Sequence, residues 1–256
     1  MQFITLISDL GHRDYYAGMI KGLIYRDAPE VTIVDISHDI TPYDIVEAAY
    51  NIQQSYRSFP KGTIHLILVS NHENPDHAIA FRHKGHWFIG PNNGLFSLVF
   101  DETPSPLLKL DLSLRDFLSL RQSLGSLMAK ISGGPQDFSF GEVTKNYVQR
   151  LHLHPVVTHS EIRGSVMYID RYGNTVINVR RELFDQVRKD RPFQLYFKRN
   201  NPITKLTSPS EHIEVGEVYC HFNDAGYLEI AVSMGNASEL FNLKKDETIQ
   251  IQFLDS

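Results

Sequence analysis

The sequence predicts an α/β N-terminal domain with a mainly parallel sheet, followed by a small C-terminal domain that is an all-β barrel. Apolar strand-like runs alternate with helical periodicities through the first half of the chain, the pattern of a parallel α/β sheet. One run, residues 63–69, is apolar almost throughout, as in strands buried on both faces of such a sheet. Beyond Gly164 the chain changes to short strand-like segments separated by turn residues. We therefore place the N-terminal domain at 1–152, a linker at 153–163 and the C-terminal domain at 164–256.

The elements of the first half follow from the spacing of apolar residues. Short β-branched runs predict strands, and apolar residues recurring at three and four positions predict helices. The expected elements are strands at 3–7, 31–36 and 63–69, helices at 15–25, 44–56 and 115–131, and a hairpin at 77–81 and 86–89. Parallel strands present their carboxyl ends at one edge of the sheet, so functional residues are expected in the loops 8–14, 37–43 and 70–76.

The second half shows a different pattern. Residues 132–163 lack a regular apolar period and contain several glycines and prolines. Beyond them, alternating segments bounded by turn residues predict a series of strands. These strands are expected at 165–169, 175–179, 193–197, 217–222, 227–232 and 248–253.

Composition narrows the functional classes. The 256 residues include 25 Lys plus Arg against 30 Asp plus Glu, a net charge of −5 that disfavours general nucleic-acid binding. The single cysteine, Cys220, excludes an intramolecular disulfide and a multi-cysteine zinc site. The sequence shows neither a signal peptide nor an apolar run long enough for a membrane helix. We expect a cytoplasmic protein with no nucleic-acid or membrane partner.

Acidic and aromatic residues follow the first two predicted strands. Asp9 could accept the hydroxyls of a ribose and Asp14 could bind an ammonium group, or both could favour a helix N-terminus. His38 and Asp39 could be acid/base residues, or His38 could bond the local backbone. Tyr43 could stack on an aromatic ligand or simply pack.

The third loop contains polar residues with open interpretations. His72, Glu73 and His77 follow the most apolar strand and could serve as acid/base groups. Their irregular spacing makes them weak metal ligands, and they could equally be solvated.

Two segments of the second half could form turns or bind a ligand. Residues 168–178 contain Asp170 and Asn174, which could make a hairpin turn or contact a ligand. Residues 232–237 could present backbone amides or form a turn. The linker histidines His152, His154 and His159 are read as exposed, and we expect no metal site.

Several of these segments together resemble the S-adenosylmethionine hydroxide adenosyltransferase family, which also contains the fluorinase and chlorinase enzymes. The most characteristic are Ile7-Ser8-Asp9-Leu10-Gly11, Val34-Asp35-Ile36-Ser37-His38 and Ile169-Asp170-Arg171-Tyr172-Gly173-Asn174. Further matches are at 18–22, 40–49, 59–63, 90–94 and 228–237, in the family's order and spacing over about 240 residues.

The resemblance implies an N-terminal α/β domain, a C-terminal β-barrel and a homotrimer with active sites between subunits. It implies that S-adenosylmethionine, or adenosine, binds there as substrate, with no separate cofactor. Asp9 would hold the ribose hydroxyls and Asp14 would face the methionine amino group. Tyr43 would lie against the ribose and adenine, and Asn93 belongs to a further matched motif of the binding site.

The C-terminal residues would complete the substrate site. By the same resemblance, Asp170 would face the methionine amino group, Tyr172 would bracket the ribose and adenine, and Asn174 would bond the adenine. Met234 and Asn236 lie in the turn expected to offer backbone groups to the adenine. The family reaction displaces methionine from the ribose C5′.

The sequence departs from the family at the residues that activate the nucleophile. Ser70 stands where the family has an aspartate, His77 stands roughly where it has an arginine, and Ser119 replaces a histidine. Residues 70–74 do not reproduce the halide pocket of the fluorinases and chlorinases, which argues against a halogenase.

Three functions remain open at this point. The first is a hydrolase using water or hydroxide, in which His72, His77 and Glu73 supply the missing groups, with Ser70 and Ser119 as altered catalytic positions. The second is an inactive protein that binds adenosine or S-adenosylmethionine. The third is a transferase that uses another nucleophile or another adenosine-containing substrate.

Overall fold

The chain forms two structural units, Met1–Leu151 and His152–Ser256. The structure is a computed structural model that describes residues 2–71, 78–114, 116–131, 138–151, 154–208 and 211–254. Among the helices within these ranges, none has the length and apolar character needed to cross a membrane.

A mixed sheet forms the centre of the first unit. Its strands are β1 (Gln2–Ser8), β2 (Val31–Ser37), β3 (Ile64–Leu68), β4 (Ala78–His83), β5 (His86–Pro91), β6 (Leu107–Lys109) and β7 (Glu142–Thr144). Their order is β2-β1-β3-β5-β4-β6-β7, with β2, β1, β3 and β5 parallel and the remaining pairings antiparallel. The parallel half agrees with the sequence prediction. The antiparallel pair β4–β5 confirms the predicted hairpin. Strands β6 and β7 were not predicted, because three residues are too few to show a period.

Helices cover both faces of this sheet. They are α1 (Tyr16–Asp27), α2 (Ile45–Ser55), α3 (Leu95–Val99) and α4 (Phe117–Ile131). Buried residues of α1 and α4 share one apolar cluster, and those of α2 and α3 share another. Asp44 caps α2 by accepting hydrogen bonds from the N–H groups of Val46 and Glu47 at 3.1 and 3.0 Å. This cap fixes where the loop after β2 ends.

A pair of histidines is buried inside the first unit. His65 Nδ1 lies 2.7 Å from Thr5 Oγ1, and His65 Nε2 lies 3.3 Å from His86 Nδ1. Burial, assisted by the neighbouring His86, lowers the pKa of His65 to about 3. Burial also lowers the pKa of His86. Both rings are therefore neutral at neutral pH, and they act as core residues.

The second unit is built on a curled antiparallel sheet. Its strands are β8 (Val156–Val157), β9 (Glu161–Ile169), β10 (Thr175–Arg180), β11 (Phe193–Phe197), β12 (Arg199–Ile203), β13 (Val218–Phe222), β14 (Tyr227–Val232) and β15 (Thr248–Phe253). Their order is β12-β11-β15-β9-β10-β14-β13, and β8 pairs with β9. Just beyond β12, the N–H of Thr207 donates to the carbonyl of Cys220 in β13 at 2.8 Å. The two ends of the path therefore approach each other, while closure into a complete barrel stays a prediction.

The second unit is not purely β. It contains α5 (Arg181–Arg188) and α6 (Ala237–Phe241), which the sequence analysis did not predict. Helix α5 spans about two turns and buries one side chain completely, that of Phe184. So short a helix gives little periodic signal, and its burial depends on the sheet beneath it.

Candidate functional site

Asp9 connects the loops that follow β1, β2 and β3. Its Oδ2 accepts the backbone N–H of Tyr43 at 2.9 Å and the backbone N–H of Ser70 at 3.1 Å. Both donors have left-handed backbone conformations, with φ of 69° at Tyr43 and 53° at Ser70. We call this group of three residues the Asp9 junction. It confirms that the described parts of the three loops meet at one edge of the sheet, as the parallel strands predicted.

The Asp9 junction leaves one carboxylate oxygen for a ligand. Both backbone bonds use Oδ2, and Asp9 is only partly buried. Oδ1 can therefore accept hydrogen bonds from outside the chain. An anchored carboxylate is a suitable acceptor for hydroxyl groups, because its orientation is already fixed before a ligand arrives.

A chain of polar side chains lies beneath the junction. Ser8 Oγ lies 2.6 Å from Nδ1 of the buried His38, whose Nε2 lies 3.2 Å from Asp35 Oδ1 without the alignment of a hydrogen bond. Lys21 Nζ donates to Asp35 Oδ2 at 2.5 Å. Burial lowers the pKa of His38, although Asp35 opposes the shift. Burial would raise the pKa of Asp35, but Lys21 and His38 outweigh it and the pKa is lowered.

Asn93 supports the Asp9 junction from inside the protein. Its Nδ2 donates to the carbonyls of Val69 and Ser70 at 3.0 and 3.3 Å, and its Oδ1 accepts the N–H of Leu95 at 3.1 Å. The side chain is fully buried, and its oxygen and nitrogen are both used inside the chain. These contacts make Asn93 a positioning residue for the loop at Ser70, although the sequence had placed it with the substrate-binding residues.

Two other predicted residues of the first unit are exposed. The Tyr43 side chain is 63% exposed beside the junction, which suits a residue that stacks on a ligand. Asp14 is also exposed and precedes α1. The geometry thus places Tyr43 at the Asp9 junction, whereas the role of Asp14 stays a prediction.

Among the other predicted catalytic residues, the structure describes Ser119, whose contacts are at the start of α4. Ser119 lies in the first turn of α4. Its N–H and its hydroxyl donate to the two carboxylate oxygens of Asp116 at 2.8 and 2.9 Å. This is the arrangement of a helix cap, which gives Ser119 a local structural role. His72 and His77 lie outside the described residues, as does Glu73.

In the second unit, the turn between β9 and β10 is held by Asp170 and Asn174. Asp170 Oδ1 accepts the N–H groups of Tyr172 and Asn174 at 2.9 and 2.8 Å, and Oδ2 accepts the Asn174 side-chain amide at 3.0 Å. Both oxygens thus shape the turn, in agreement with the alternative of a structural hairpin. The turn presents Tyr172, which is 76% exposed, to the surroundings.

A second turn packs directly on the first. Gly173, with φ of 82°, contacts Asn236 so closely that a Cβ at this position would overlap the amide of Asn236. Asn236 Oδ1 also caps α6 by accepting the N–H of Glu239 at 2.9 Å. Met234, with φ of 54°, is 89% exposed in the same turn. The two exposed side chains, Tyr172 and Met234, therefore project from adjacent turns.

A separate cavity lies away from the Asp9 junction. It has a volume of about 530 Å³ and is lined by residues 109–113, Lys130 and residues 139–142. These residues lie at the end of β6, at the start of β7, in the segments next to these two strands and near the end of α4, at the sheet edge opposite to β2. We do not assign substrate binding to it.

The sequence did not predict one cluster of potential metal ligands. His12, Asp35 and His38 bring potential metal-binding atoms within 4.8 Å of one another. Asp35 lies within β2 rather than in a loop, and a register shift between Leu6 and Ile7 aligns Ile7 with Ser37. The spacing of Asp35 and His38 in the sequence is only a weak indication of a metal site. Their proximity to His12 follows only from the fold.

Comparisons with known proteins agree over nearly the whole chain. Residues 4–121 match the SAM hydroxide adenosyltransferase N-terminal domain, and residues 164–250 match the corresponding C-terminal domain. Proteins named (R)-S-adenosyl-L-methionine hydrolase from Methanocaldococcus jannaschii and Thermus thermophilus are each 25% identical over 98% of this chain, and cover 96% and 100% of their own lengths. A protein named Fluorinase from Nocardia brasiliensis is 25% identical over 97% of this chain and 96% of its own length. The crystal structure of an uncharacterized conserved protein from Thermotoga maritima shares the fold, with a TM-score of 0.82, 24% identity, and coverage of 98% of this chain and 100% of that one.

Proposed function

The chain belongs to the S-adenosylmethionine hydroxide adenosyltransferase family, and from that premise we propose that it is an S-adenosylmethionine hydrolase producing adenosine and methionine. The observation that carries this proposal is the Asp9 junction. It fixes a carboxylate at the carboxyl edge of the parallel strands, and both of its backbone bonds use Oδ2 rather than Oδ1. The two relatives named (R)-S-adenosyl-L-methionine hydrolase support this reaction, whereas the relative named Fluorinase, at the same identity, does not.

The proposed reaction is a displacement at the ribose C5′. A water molecule, or the hydroxide derived from it, attacks C5′ while the bond from C5′ to sulfur breaks. The sulfonium keeps that electron pair and leaves as the neutral thioether of methionine. The proton lost by water passes to a base or to solvent. Because the leaving group departs uncharged, most of the catalytic demand falls on orientation and on deprotonation of the nucleophile.

We assign the substrate contacts as follows. Asp9 Oδ1 accepts the ribose hydroxyls, and the exposed ring of Tyr43 stacks against the nucleoside. Tyr172 and Met234 in the second unit of a neighbouring subunit supply apolar surface to the adenosyl group, as expected for active sites between subunits. Asp14 has the charge to bind the methionine ammonium group. The exposure of Tyr43, Tyr172 and Met234 supports these roles.

Asn174, Asp170 and Asn236 have structural bonds that limit their proposed roles. Asp170 and Asn174 hold the turn that carries Tyr172, and Asn236 holds the turn that carries Met234. We propose that these residues act mainly by positioning, with the Asn174 amide oxygen and the backbone near Asn236 available to adenine. We also propose that the Asp170 carboxylate contacts the methionine ammonium group.

Activation of the nucleophile requires residues other than those of the family. Ser70 and Ser119 stand where the family carries an acid and a histidine, and Ser119 is engaged with Asp116. We propose that His72 supplies the base, with His77 as its partner. Removal of a general base costs about 10²–10⁴-fold in rate, so His72→Ala should reduce turnover by that amount.

A second candidate function follows from the presence of Ser70 and Ser119 at the positions of the family's activating residues. Without a replacement for the usual activating residues, the chain would bind S-adenosylmethionine or adenosine and not hydrolyse it. The Asp9 junction serves this function equally well, since its carboxylate recognises the ribose and does not take part in deprotonation.

In either case we propose a homotrimer, which light scattering during size-exclusion chromatography would test.

Incubation of the purified protein with S-adenosylmethionine tests the first candidate against the second. Chromatography should show adenosine and methionine formed in equal amounts, and Asp9→Ala should weaken substrate binding and slow formation of both. Asp101→Ala, a change at an exposed acidic residue of the same unit, is the matched control and should behave as the original protein. Substrate binding without adenosine formation would reject the hydrolase and favour the binding protein.

A further inference from the structure

We propose that His12, Asp35 and His38 form a binding site for a divalent transition-metal ion, with Zn²⁺ as the representative ion. Two imidazoles and one carboxylate are a ligand set that zinc takes in proteins, with further positions left for water. The potential ligand atoms of these three residues lie within 4.8 Å of one another.

The buried histidine provides the strongest reason for this site. The side chain of His38 is 1% exposed, yet within the described residues its Nε2 makes no aligned hydrogen bond, although Asp35 Oδ1 lies 3.2 Å away. Leaving a buried polar atom without a partner is costly, and a native structure usually satisfies it with a bond, a water molecule or an ion. Because Nε2 and Asp35 Oδ1 lie close together, an ion placed beside them would contact both atoms.

The other nitrogen of His38 is held as metal-binding histidines require. Its Nδ1 lies 2.6 Å from Ser8 Oγ, which can accept Nδ1–H and so leave the lone pair of Nε2 free for a metal.

The spacing of the three groups fits an ion after a small movement of one side chain. Tetrahedral zinc with bonds of about 2.0–2.1 Å separates its ligand atoms by about 3.3 Å. The separation of His38 Nε2 and Asp35 Oδ1 is already 3.2 Å. His12 is exposed and lies at the surface, so its ring can rotate to close the remaining distance.

The charges around the site are compatible with a cation. Lys21 occupies Asp35 Oδ2, and this leaves Oδ1 on the side of His38. Asp39 Oδ1 lies 3.2 Å from His12 Nδ1 and adds a second carboxylate. The two aspartates outnumber the one lysine among the acidic and basic side chains of this cluster. An ion bound here would join the loop after β1 to β2, immediately beside the Asp9 junction.

Calorimetric titration of the metal-free, untagged protein with ZnCl₂ tests this site without reference to catalysis. We expect one saturable site that His12→Ala weakens at least about tenfold. Zinc should also raise the unfolding temperature of the first unit, reported by the fluorescence of Trp87, and His12→Ala should abolish that increase. His12 is exposed, so its replacement should leave the fold intact.

Two other histidines serve as controls. His159→Ala, in the predicted linker, and His212→Ala, elsewhere in the second unit, both replace exposed side chains and should leave the affinity for zinc unchanged. Zinc binding that survives His12→Ala but is lost in His159→Ala would place the ion in the linker and overturn the proposal. The absence of saturable binding to the original protein would overturn it as well.

Discussion

Replacement of Asp9 separates the structural part of its role from its part in binding. Asp9→Ala removes the acceptor of two backbone N–H groups, whose bonds are 2.9 and 3.1 Å long. Hydrogen bonds to charged groups each contribute about 1.5–3 kcal/mol. Asp9 is partly exposed, so we take the lower end for each bond and expect a loss of about 3 kcal/mol in the free energy of unfolding of the first unit.

Asp9→Asn is the matched comparison. The amide oxygen can still accept both N–H groups, so the stability should fall by only about 1 kcal/mol, the difference between charged and neutral acceptors. The amide NH₂ then replaces Oδ1, which we assign to the ribose hydroxyls. Asp9→Asn should therefore retain the fold and bind S-adenosylmethionine or adenosine at least about tenfold more weakly, a loss of 1.4 kcal/mol.

Urea unfolding followed by tryptophan fluorescence measures the structural part. The chain has a single tryptophan, Trp87, buried in β5, so the signal reports on the first unit. Calorimetry with S-adenosylmethionine measures the binding part, and Asp101→Ala is the control for both. Asp9→Ala with unchanged stability would refute the junction as a structural element, and Asp9→Asn with unchanged affinity would refute Oδ1 as a ribose contact.

Two further predictions concern acid stability and the turns of the second unit. Burial lowers the pKa of His65 from 6.5 to about 3, so the unfolded chain binds a proton that the folded chain does not. The stability that the neutral ring confers is complete above pH 6.5 and is lost as the pH falls towards 3. This group lowers the free energy of unfolding by up to about 1.4 kcal/mol per pH unit. Urea unfolding, followed by the fluorescence of Trp87, that shows no loss of stability between pH 6.5 and 5 would contradict a buried, neutral His65. Gly173→Ala should lower the unfolding temperature of the second unit and cost about 1–3 kcal/mol, because the new Cβ combines a left-handed φ with overlap of Asn236. Gly226→Ala, at φ of 76° with open space around it, is the control for φ alone, and an equal loss of stability in both variants, measured by circular dichroism, would exclude the overlap with Asn236.

The sequence predicted the parallel part of the first sheet because its strands are long and apolar. Residues 64–68 are buried without interruption, and the strands on either side of β1 were found at their expected places. Helix α5 and strand β12 were missed for a common physical reason. Short elements gain most of their stability from the surface on which they pack, so their own residues carry little periodic signal.

The candidate site was predicted to the level of loops but not of atoms. Parallel strands place the ends of β1, β2 and β3 together, which is why Asp9 and Tyr43 could be expected near one another. Tyr43 and Ser70 both have left-handed conformations and both donate to the Asp9 carboxylate, and no local sequence signal specifies a bond across 61 residues. The internal role of Asn93 was hidden for the same reason, since it depends on contact with a distant strand end.

Hydrolysis in water enriched in oxygen-18 tests the proposed function most directly. If water or hydroxide attacks C5′, mass spectrometry should find the heavy oxygen in the 5′ hydroxyl of the adenosine and none in the methionine. The label should appear only with active protein, and its rate of incorporation should fall in His72→Ala. Adenosine that forms without the label, or unchanged S-adenosylmethionine in the presence of demonstrated binding, would contradict a hydrolase that uses water at C5′.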